Sequence, residues 1–177
     1  KWGVPSVFGV SGANIEHFHD SIHRLGGDQL KSVLARTEMG AAFMADANAR
    51  VHRTLGVCCS TSGGGMMNLA VGVAESFNDS VPVLAIVGQP PKVLEGCGAF
   101  QDSSGIGRSV DALALWNAIT KYTARIEQPA DFWPSLEKAV RIALSGRPGP
   151  VALLIPRDIN ESEVGEMPDS IIELLKN

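Results

Sequence analysis

The sequence is poor in cysteine, in aromatic residues and in positive charge, and each shortage excludes a class of protein. Three cysteines in 177 residues are an odd number and too few for a disulfide scaffold. Aromatic residues make up 6% of the chain and the formal net charge is -4, which argues against a nucleic-acid surface. No apolar run reaches the ~18 residues that span a bilayer, and no targeting pattern opens the chain. We therefore expect no nucleic-acid or membrane partner and a cytoplasmic location.

What remains is the composition of a globular domain. Apolar residues make up 45% of the chain and charged residues 19%. A chain of this length can bury roughly 70% of its unfolded surface, so neither disulfides nor a structural metal is required. Cys58 and Cys59 are predicted to be reduced core thiols on opposite faces of one strand, whereas Cys97 lies in a Gly-rich loop.

Short apolar runs alternate with helix-forming segments. This alternation predicts an α/β fold with an open, mostly parallel six-stranded sheet and helices on both faces. Asn14 is expected to cap the first helix, whose buried face would carry Phe18, Ile22 and Leu25. Strands are predicted at 6–10, 30–35, 55–60, 82–87, 120–126 and 151–155, and helices at 15–25, 38–52, 66–77, 110–117 and 129–145.

The predicted helix at residues 66–77 is nearly devoid of charge. A helix that is apolar on every face must be covered all round, and a sheet covers only one side. A second subunit is the natural cover for the other side, so we expect a homodimer or tetramer.

Glu38 lies at a corner between a predicted strand and a predicted helix, where Thr37 can cap the helix. In an open parallel sheet such corners form the ligand-binding edge, so loops that follow several strands can converge there. The bland interpretation of Glu38 is an acidic residue that merely suits the helix dipole.

Known phosphate and metal signatures give only weak indications. The run Thr-Ser-Gly-Gly-Gly at residues 61–65 precedes a helix and could cradle a phosphate, but no lysine of the P-loop type follows it. His19 and His23 are four residues apart, yet no third metal ligand is near in sequence. We interpret them as partly exposed helix histidines and predict no metal site.

Both ends of the sequence have the character of cut elements. Residues 1–5 are typical of the last turn of a helix, with a Gly stop and a following Pro, and residues 168–175 are typical of a helix start. We expect a domain at residues 1–160 with a truncated first helix. Residues 161–177 would then be a linker and the start of a following domain.

Seven motifs occur along the chain in a fixed order. They are Phe8-Gly9-Val10-Ser11-Gly12-Ala13, Glu38-Met39-Gly40-Ala41, Thr61-Ser62-Gly63-Gly64-Gly65-Met66-Met67-Asn68-Leu69, Asp79-Ser80-Val81-Pro82-Val83, Gly88-Gln89, Phe100-Gln101-Asp102 and Gly146-Arg147-Pro148-Gly149-Pro150-Val151. In this order and spacing the chain resembles the N-terminal, pyrimidine-binding domain of thiamine diphosphate enzymes, in particular the acetolactate synthase-like group. The resemblance covers roughly residues 1–160.

The resemblance implies cofactor roles. Glu38 matches the glutamate that hydrogen-bonds the aminopyrimidine ring nitrogen of thiamine diphosphate and so activates the cofactor. Gly64 and Asn68 match residues that wall the pyrimidine. Gly12 and Ala13, together with Val10, match the loop that approaches the reacting end of the cofactor.

The resemblance also implies a substrate pocket. Phe100 and Gln101 match a pair that faces this pocket from the partner subunit, with Gln101 counted among the catalytic residues and Val10 and Ser11 opposite. The family often has Pro where this chain has Ser11 and Gly64, and acetolactate synthases often have an aromatic residue at Val10. These departures concern the substrate more than the cofactor.

The family binds the diphosphate through Mg²⁺ held by a Gly-Asp-Gly motif in a separate domain, and this sequence has no such motif. The resemblance thus implies half of an enzyme site that joins or cleaves 2-keto acids, completed by another domain of the polypeptide. Three alternatives stay open: the natural small subunit of a two-subunit decarboxylase, a catalytically silent dimerisation or regulatory module, and a nucleotide-binding module.

Overall fold

The computed structural model describes residues 4–174, and its side chains through Ile171. Six strands alternate with helices, as the sequence predicted. The strands are β1 (Ser6–Gly9), β2 (Lys31–Leu34), β3 (Gly56–Ser60), β4 (Val83–Gln89), β5 (Tyr122–Arg125) and β6 (Val151–Pro156). The α-helices are α1 (Glu16–Leu25), α2 (Glu38–His52), α3 (Gly64–Asp79), α4 (Ala112–Ile119), α5 (Phe132–Leu144), α6 (Arg157–Asn160) and α7 (Asp169–Leu174), and short 3-10 helices span Lys92–Leu94 and Pro129–Asp131.

The six strands form one open sheet in the order β2-β1-β3-β4-β6-β5, and every pairing is parallel. From β1 the chain passes to β2 on one side and then returns to β3 on the other side. This reversal opens a crevice between the carboxyl ends of β1 and β3, where open α/β sheets bind ligands. The predicted fold class is confirmed.

Helices cover both faces of the sheet because the side chains of each buried strand alternate between two cores. Cys58 packs with residues of α2, α3 and α4, whereas the adjacent Cys59 packs with residues of α1 and α5. Both thiols are buried and free, and Cys97 is exposed, as predicted. An apolar groove of about 580 Å³ remains between Phe18 of α1 and Phe132 of α5.

Helices α2 and α3 approach each other closely because small residues line their contact. A Cβ atom at Gly72 would lie 2.6 Å from the Cβ of Ala42. The buried carboxylate of Asp46 accepts hydrogen bonds from Ser76 Oγ at 2.7 Å and from Arg50 Nε at 2.6 Å. This contact fixes the helix that begins at Glu38 against the helix that carries the Gly-rich turn.

Several details of the sequence prediction were wrong. Asn14 does not cap α1: the helix begins after Ile15, and no side chain caps it. Leu25 is 86% exposed and lies outside the core. The expected last helical turn before Val4 lies outside the described residues, and the domain boundary at residue 160 stays a prediction.

Candidate functional site

Glu38 is the first residue of α2, at the predicted strand-helix corner. Thr37 has an extended backbone, and its side chain accepts a hydrogen bond from the Gly40 N–H at 3.1 Å, so it caps the helix as predicted. The Glu38 side chain is half-buried, and its Oε2 accepts a hydrogen bond from Asn68 Nδ2 at 3.2 Å. A carboxylate is therefore held at the positive end of a helix by a neighbour from α3.

The other carboxylate oxygen of Glu38 faces a glycine. A Cβ atom at Gly65 would lie 3.3 Å from Glu38 Oε1 and 2.8 Å from Thr61 Cγ2. Any larger residue at position 65 would therefore crowd the carboxylate. Glycine here lets the backbone of α3 pack closely against Thr61 and the Glu38 carboxylate, while Oε2 is bound to Asn68.

The loop after β1 is tied to the loop after β3. The Asn14 N–H donates to Thr61 Oγ1 at 3.3 Å, and Asn14 Nδ2 donates to Ser62 Oγ at 2.7 Å. A Cβ atom at Gly12 would lie 2.8 Å from Thr61 Cβ, and one at Gly88 would lie 2.1 Å from the Asn14 carbonyl oxygen. The ends of β1, β3 and β4 thus interlock through backbone-level contacts.

The remaining residues expected at the cofactor line the same edge with varied exposure. Val10 is half-buried and packs against the core that includes α2 and α3. Ser11 and Ala13 are exposed on the loop after β1, and Gly64 and Asn68 are exposed on the first turn of α3. The carboxyl edge of the sheet therefore brings all the sequence-predicted cofactor residues onto neighbouring loops.

The long loop after β4 is anchored close to its tip. Ser103 Oγ donates to Gln89 Oε1 at 2.6 Å, and both side chains are buried. The Asp102 carboxylate accepts hydrogen bonds from the Gly96 and Ser104 N–H groups at 2.8 and 2.9 Å. Desolvation raises the pKa of Asp102, but these backbone hydrogen bonds outweigh it and lower the pKa overall.

The tip of this loop presents Phe100 and Gln101. Phe100 is 79% exposed, whereas Gln101 is half-buried and has a left-handed backbone with φ at 58°. The Gln101 backbone and Cβ lie against Gly63 of the same chain. The Ser103–Gln89 hydrogen bond holds the loop against β4, so that Gln101 lies beside the Gly-rich turn of its own chain. Whether this pair faces a pocket shared with a partner subunit stays a prediction.

Polar residues at strand ends were the part of the site that sequence reasoning missed. Thr61 and Ser62 hold the loop after β1, and Gln89 holds the long loop. The available signal was a polar side chain directly after an apolar strand, a position that is buried here. Asn14, misread as a helix cap, belongs to the same group.

The two histidines of α1 differ. His19 is half-buried, with Nδ1 2.7 Å from Ser32 Oγ and Nε2 3.5 Å from Cys59 Sγ, whereas His23 is exposed. Burial lowers the pKa of His19, although the Val10 carbonyl opposes this shift, and burial raises the pKa of Cys59 to about 12. Within residues 4–174, no cluster of three or more His, Cys, Asp or Glu residues could hold a metal ion.

Comparisons with known proteins identify the relatives of this chain. Residues 1–108 match the family model described as the thiamine pyrophosphate enzyme, N-terminal TPP binding domain. The chain is 39% identical over 162 residues to a probable acetolactate synthase large subunit of Methanocaldococcus jannaschii. The matched segment covers 92% of this chain and 26% of that protein. It is 40% identical over 157 residues to the acetolactate synthase isozyme 2 large subunit of Escherichia coli, covering 89% of this chain and 27% of that protein.

The chain thus spans about a quarter of the length of these curated relatives. No helix in the described part of the chain is long and apolar enough to cross a membrane. The match over residues 1–108, which is more than half of the chain, together with the identity to the relatives, establishes the family. The chain belongs to the thiamine pyrophosphate enzymes related to acetolactate synthase, as an N-terminal, pyrimidine-binding domain.

Proposed function

We propose that this chain is the pyrimidine-binding half of a thiamine diphosphate enzyme that joins or decarboxylates 2-keto acids in the manner of acetolactate synthase. One observation carries the proposal: the Glu38 carboxylate is fixed at the start of α2 by a hydrogen bond from Asn68 to Oε2, and Oε1 lies against Gly65 with no hydrogen bond to it among the described residues. The family of the chain implies the cofactor, and the relatives named above are acetolactate synthases.

The residues at this edge fit an aminopyrimidine ring. A flat ring needs close approach to backbone, which Gly64 allows because nothing lies within 4 Å of a Cβ atom there. It also needs a hydrogen-bond partner for its ring nitrogen, which Glu38 Oε1 would offer. Val10 and Ala13, on the loop after β1, would complete the wall. When bound, thiamine diphosphate supplies the nucleophilic carbon for carbonyl chemistry.

In this proposal the Glu38 carboxyl group holds a proton. Asn68 Nδ2 donates to Oε2 and so orients the carboxyl group, which leaves Oε1 to share a proton with the ring nitrogen. Excluding water from Oε1 would strengthen that bond, because opposite partial charges attract more strongly in a medium of low dielectric constant. Asn68 is therefore proposed as both a wall of the site and an orienting group for Glu38.

The substrate side of the proposal uses the loop after β1 and the long loop. Gln101, as a catalytic residue, would donate its side-chain amide to an oxygen of the 2-keto acid, and Phe100 would cover the apolar end. Val10 and Ser11 would face them from the other side. The exposure of Phe100, 79%, is consistent with a pocket that another domain closes.

The diphosphate and its Mg²⁺ are assigned to a second domain, in the same polypeptide or in another subunit. The support is the absence of a Gly-Asp-Gly motif from the sequence and the fourfold greater length of the relatives. Two of those relatives are named as large subunits. The choice of keto acid and of acceptor would be made by parts of the pocket that another domain contributes.

Glu38→Gln in the complete enzyme tests the central role. Glutamine keeps the shape and can still bond to Asn68, but it cannot hold the proton. Turnover should fall by at least ~10²-fold, the scale of a positioned proton-transfer group. Exposed Glu163 provides the control, because Glu163→Gln should leave turnover unchanged. Near wild-type turnover in Glu38→Gln would sink the assignment, and a complete protein that neither binds the cofactor nor turns over would favour the silent module.

A second copy of the chain is proposed to cover the outer faces of α2 and α3. Large apolar side chains stand there without cover within the chain: Met39, Phe43 and Met44 on α2, and Met67, Val71 and Phe77 on α3. Ala70 and Val73, on the same helix, are buried in the chain's own core, so substitutions there would not isolate the interface.

Val71→Glu tests this interface. Val71 is 53% exposed, so a carboxylate is tolerated in a monomer but would be buried and unpaired in a dimer, costing several kcal/mol. Light scattering on the complete enzyme should show dissociation at micromolar concentration. Leu25→Glu, at an 86% exposed site on α1, should leave the assembly intact. A variant at Val71 that stays fully assembled contradicts this interface.

A further inference from the structure

Gly63 and Gln101 form a contact between two loops that the sequence separates by 37 residues. Both residues have left-handed backbones, each with φ at 58°. A Cβ atom at Gly63 would lie 2.6 Å from the Cβ of Gln101 and 3.0 Å from its Cα and Cγ. Real Cβ atoms do not approach other atoms this closely, so only glycine at position 63 allows the observed place of Gln101.

Gly63 belongs at the same time to the Glu38 side of the site. It is the N-cap of α3, and its carbonyl accepts a hydrogen bond from the Met67 N–H at 3.1 Å. Gly65 and Asn68, in the first turns of that helix, contact the two oxygens of Glu38. One backbone segment therefore touches Glu38 on one side and Gln101 on the other.

We propose that Gly63 is a positioning residue that sets the distance between Gln101 and the Glu38 carboxylate, and thereby the orientation in which the 2-keto acid is bound. The inference rests on the proposed function for the roles of Glu38 and Gln101. The contact itself rests on geometry alone, and it assigns Gln101 to the half-site of its own chain.

The long loop could not absorb a methyl group at Gly63 without moving Gln101. Two residues after Gln101, the Ser103 hydroxyl is buried on Gln89, and Asp102 is bracketed by two backbone N–H groups. The loop is fixed immediately beyond the contact, whereas Phe100 on its other side is exposed. The expected response is therefore an outward displacement of Phe100 and Gln101.

Backbone strain and steric contact can be separated because the chain carries matched glycines. Gly27 and Gly146 have φ at 53° and 57°, yet a Cβ atom at either would meet nothing within 4 Å. Alanine at these positions has the same positive φ as alanine at Gly63 but makes no contact. They are the controls for Gly63→Ala. Because ψ at Gly63 is −123°, outside the left-handed helical region, a variant at Gln101 is also needed to separate backbone strain from the contact.

The experiment compares Gly63→Ala, Gly27→Ala and Gly146→Ala in the complete enzyme. All three should lower Tm slightly. Only Gly63→Ala should speed amide hydrogen exchange in residues 97–104 and lower kcat/KM for the 2-keto acid by ~10-fold or more, the order expected when a catalytic group is misplaced. Thiamine diphosphate affinity should change less than about threefold, because Glu38 and Asn68 keep their contact.

Gln101→Gly is the variant to combine with Gly63→Ala, since it removes the Cβ and Cγ atoms that the added methyl would meet. In that background, Gly63→Ala should cause no further acceleration of exchange and little further loss of kcat/KM, so the two effects should be non-additive. If Gly63→Ala alone does not fold, the double variant should fold again, because the contact with Gln101 is then absent.

Two outcomes would overturn the proposal. The first is that Gly63→Ala has the same rate of amide exchange at residues 97–104 and the same kcat/KM as Gly27→Ala and Gly146→Ala. The other is an equal effect of Gly63→Ala with and without Gln101, or no recovery of folding in the double variant. Failure of the proposed function would appear differently, as wild-type turnover in Glu38→Gln while the exchange result at Gly63 persists.

Discussion

The short loops after β1 and β3 and the long loop after β4 meet at one edge of the sheet, but they are held in different ways. The short loops are locked by backbone contacts at glycines, such as Gly88 against the Asn14 carbonyl. The long loop depends on side-chain hydrogen bonds, such as that between Ser103 and Gln89, and its tip at Phe100 is exposed. The cofactor side of the proposed site is therefore rigid by construction, whereas the substrate side can change sequence and shape more freely.

On the proposed function, this difference would suit a site with a fixed cofactor and an adaptable substrate pocket. A pyrimidine ring presents the same shape in every member, so the loops that would contact it can be fixed at backbone level. Substrates differ, and a loop anchored by a few side chains can be altered without disturbing the sheet. Ser11, where this chain departs from the family pattern, is exposed on the loop after β1, whereas Val10, a second departure, is half-buried against the core.

Gly88→Ala should break the rigid region and have the largest effect. The new Cβ would meet the Asn14 carbonyl carbon and oxygen at 2.6 and 2.1 Å, and neither is the end of a flexible side chain. We expect a loss of about 3 kcal/mol or more in the free energy of unfolding, measured with urea. Gly64→Ala, where nothing lies within 4 Å, is the control and should be near neutral. A loss below about 1 kcal/mol at Gly88 would mean that the short loops can shift.

Ser103→Ala should loosen the long loop with a smaller effect. Removing the hydroxyl leaves the buried Gln89 Oε1 without its donor, which costs about 1 to 3 kcal/mol. Amide exchange should accelerate in residues 97–104, whereas the loops at 10–14 and 61–65 should keep their protection. Ser109→Ala, in the same loop with a contact of only 3.4 Å to Ser104, is the control. Equal acceleration in the short loops would show that the two regions are one unit.

Protonation of His19 should have the smallest effect on the free energy of unfolding. Because burial lowers the pKa of His19 in the folded state, the unfolded chain binds a proton more readily. Stability is therefore full above the unfolded pKa near 6.5 and declines as the pH falls below it. His19→Gln should flatten the dependence of unfolding free energy on pH between about 7 and 5, whereas His23→Gln at an exposed site should not. An unchanged slope in His19→Gln would assign the dependence to other groups.

The sequence predicted what depends on neighbours along the chain. The boundary between an apolar run and a helix-forming run placed Thr37 and Glu38 at a capped corner, and the structure has them there. The α/β alternation likewise predicted the parallel sheet. Asn14 failed for the opposite reason: an Asn before a helix is a good cap, but here Ser62 lies within 2.7 Å and binds its side chain instead.

The geometry of the long loop was beyond the reach of local rules. The left-handed backbone of Gln101 is unusual for a residue other than glycine, and it depends on Gly63 in another loop. Leu25 was assigned to the buried face of α1 by its spacing, yet it is exposed at the end of that helix. Such positions need the strand order, which no pattern in the sequence encodes.

The order of the strands has a consequence for the growing chain on the ribosome. β6 lies between β4 and β5 in the sheet. The edge of β4 that pairs with β6 therefore stays unpaired until residues 151–156 have been made. All of the proposed site residues, from Val10 to Gln101, are synthesised before then. β4 is buried along its whole length in the finished fold, so its early edge is apolar and open to pairing with other chains. Protection of this strand by a chaperone, more than the stability of the finished domain, would then limit the yield of folded protein.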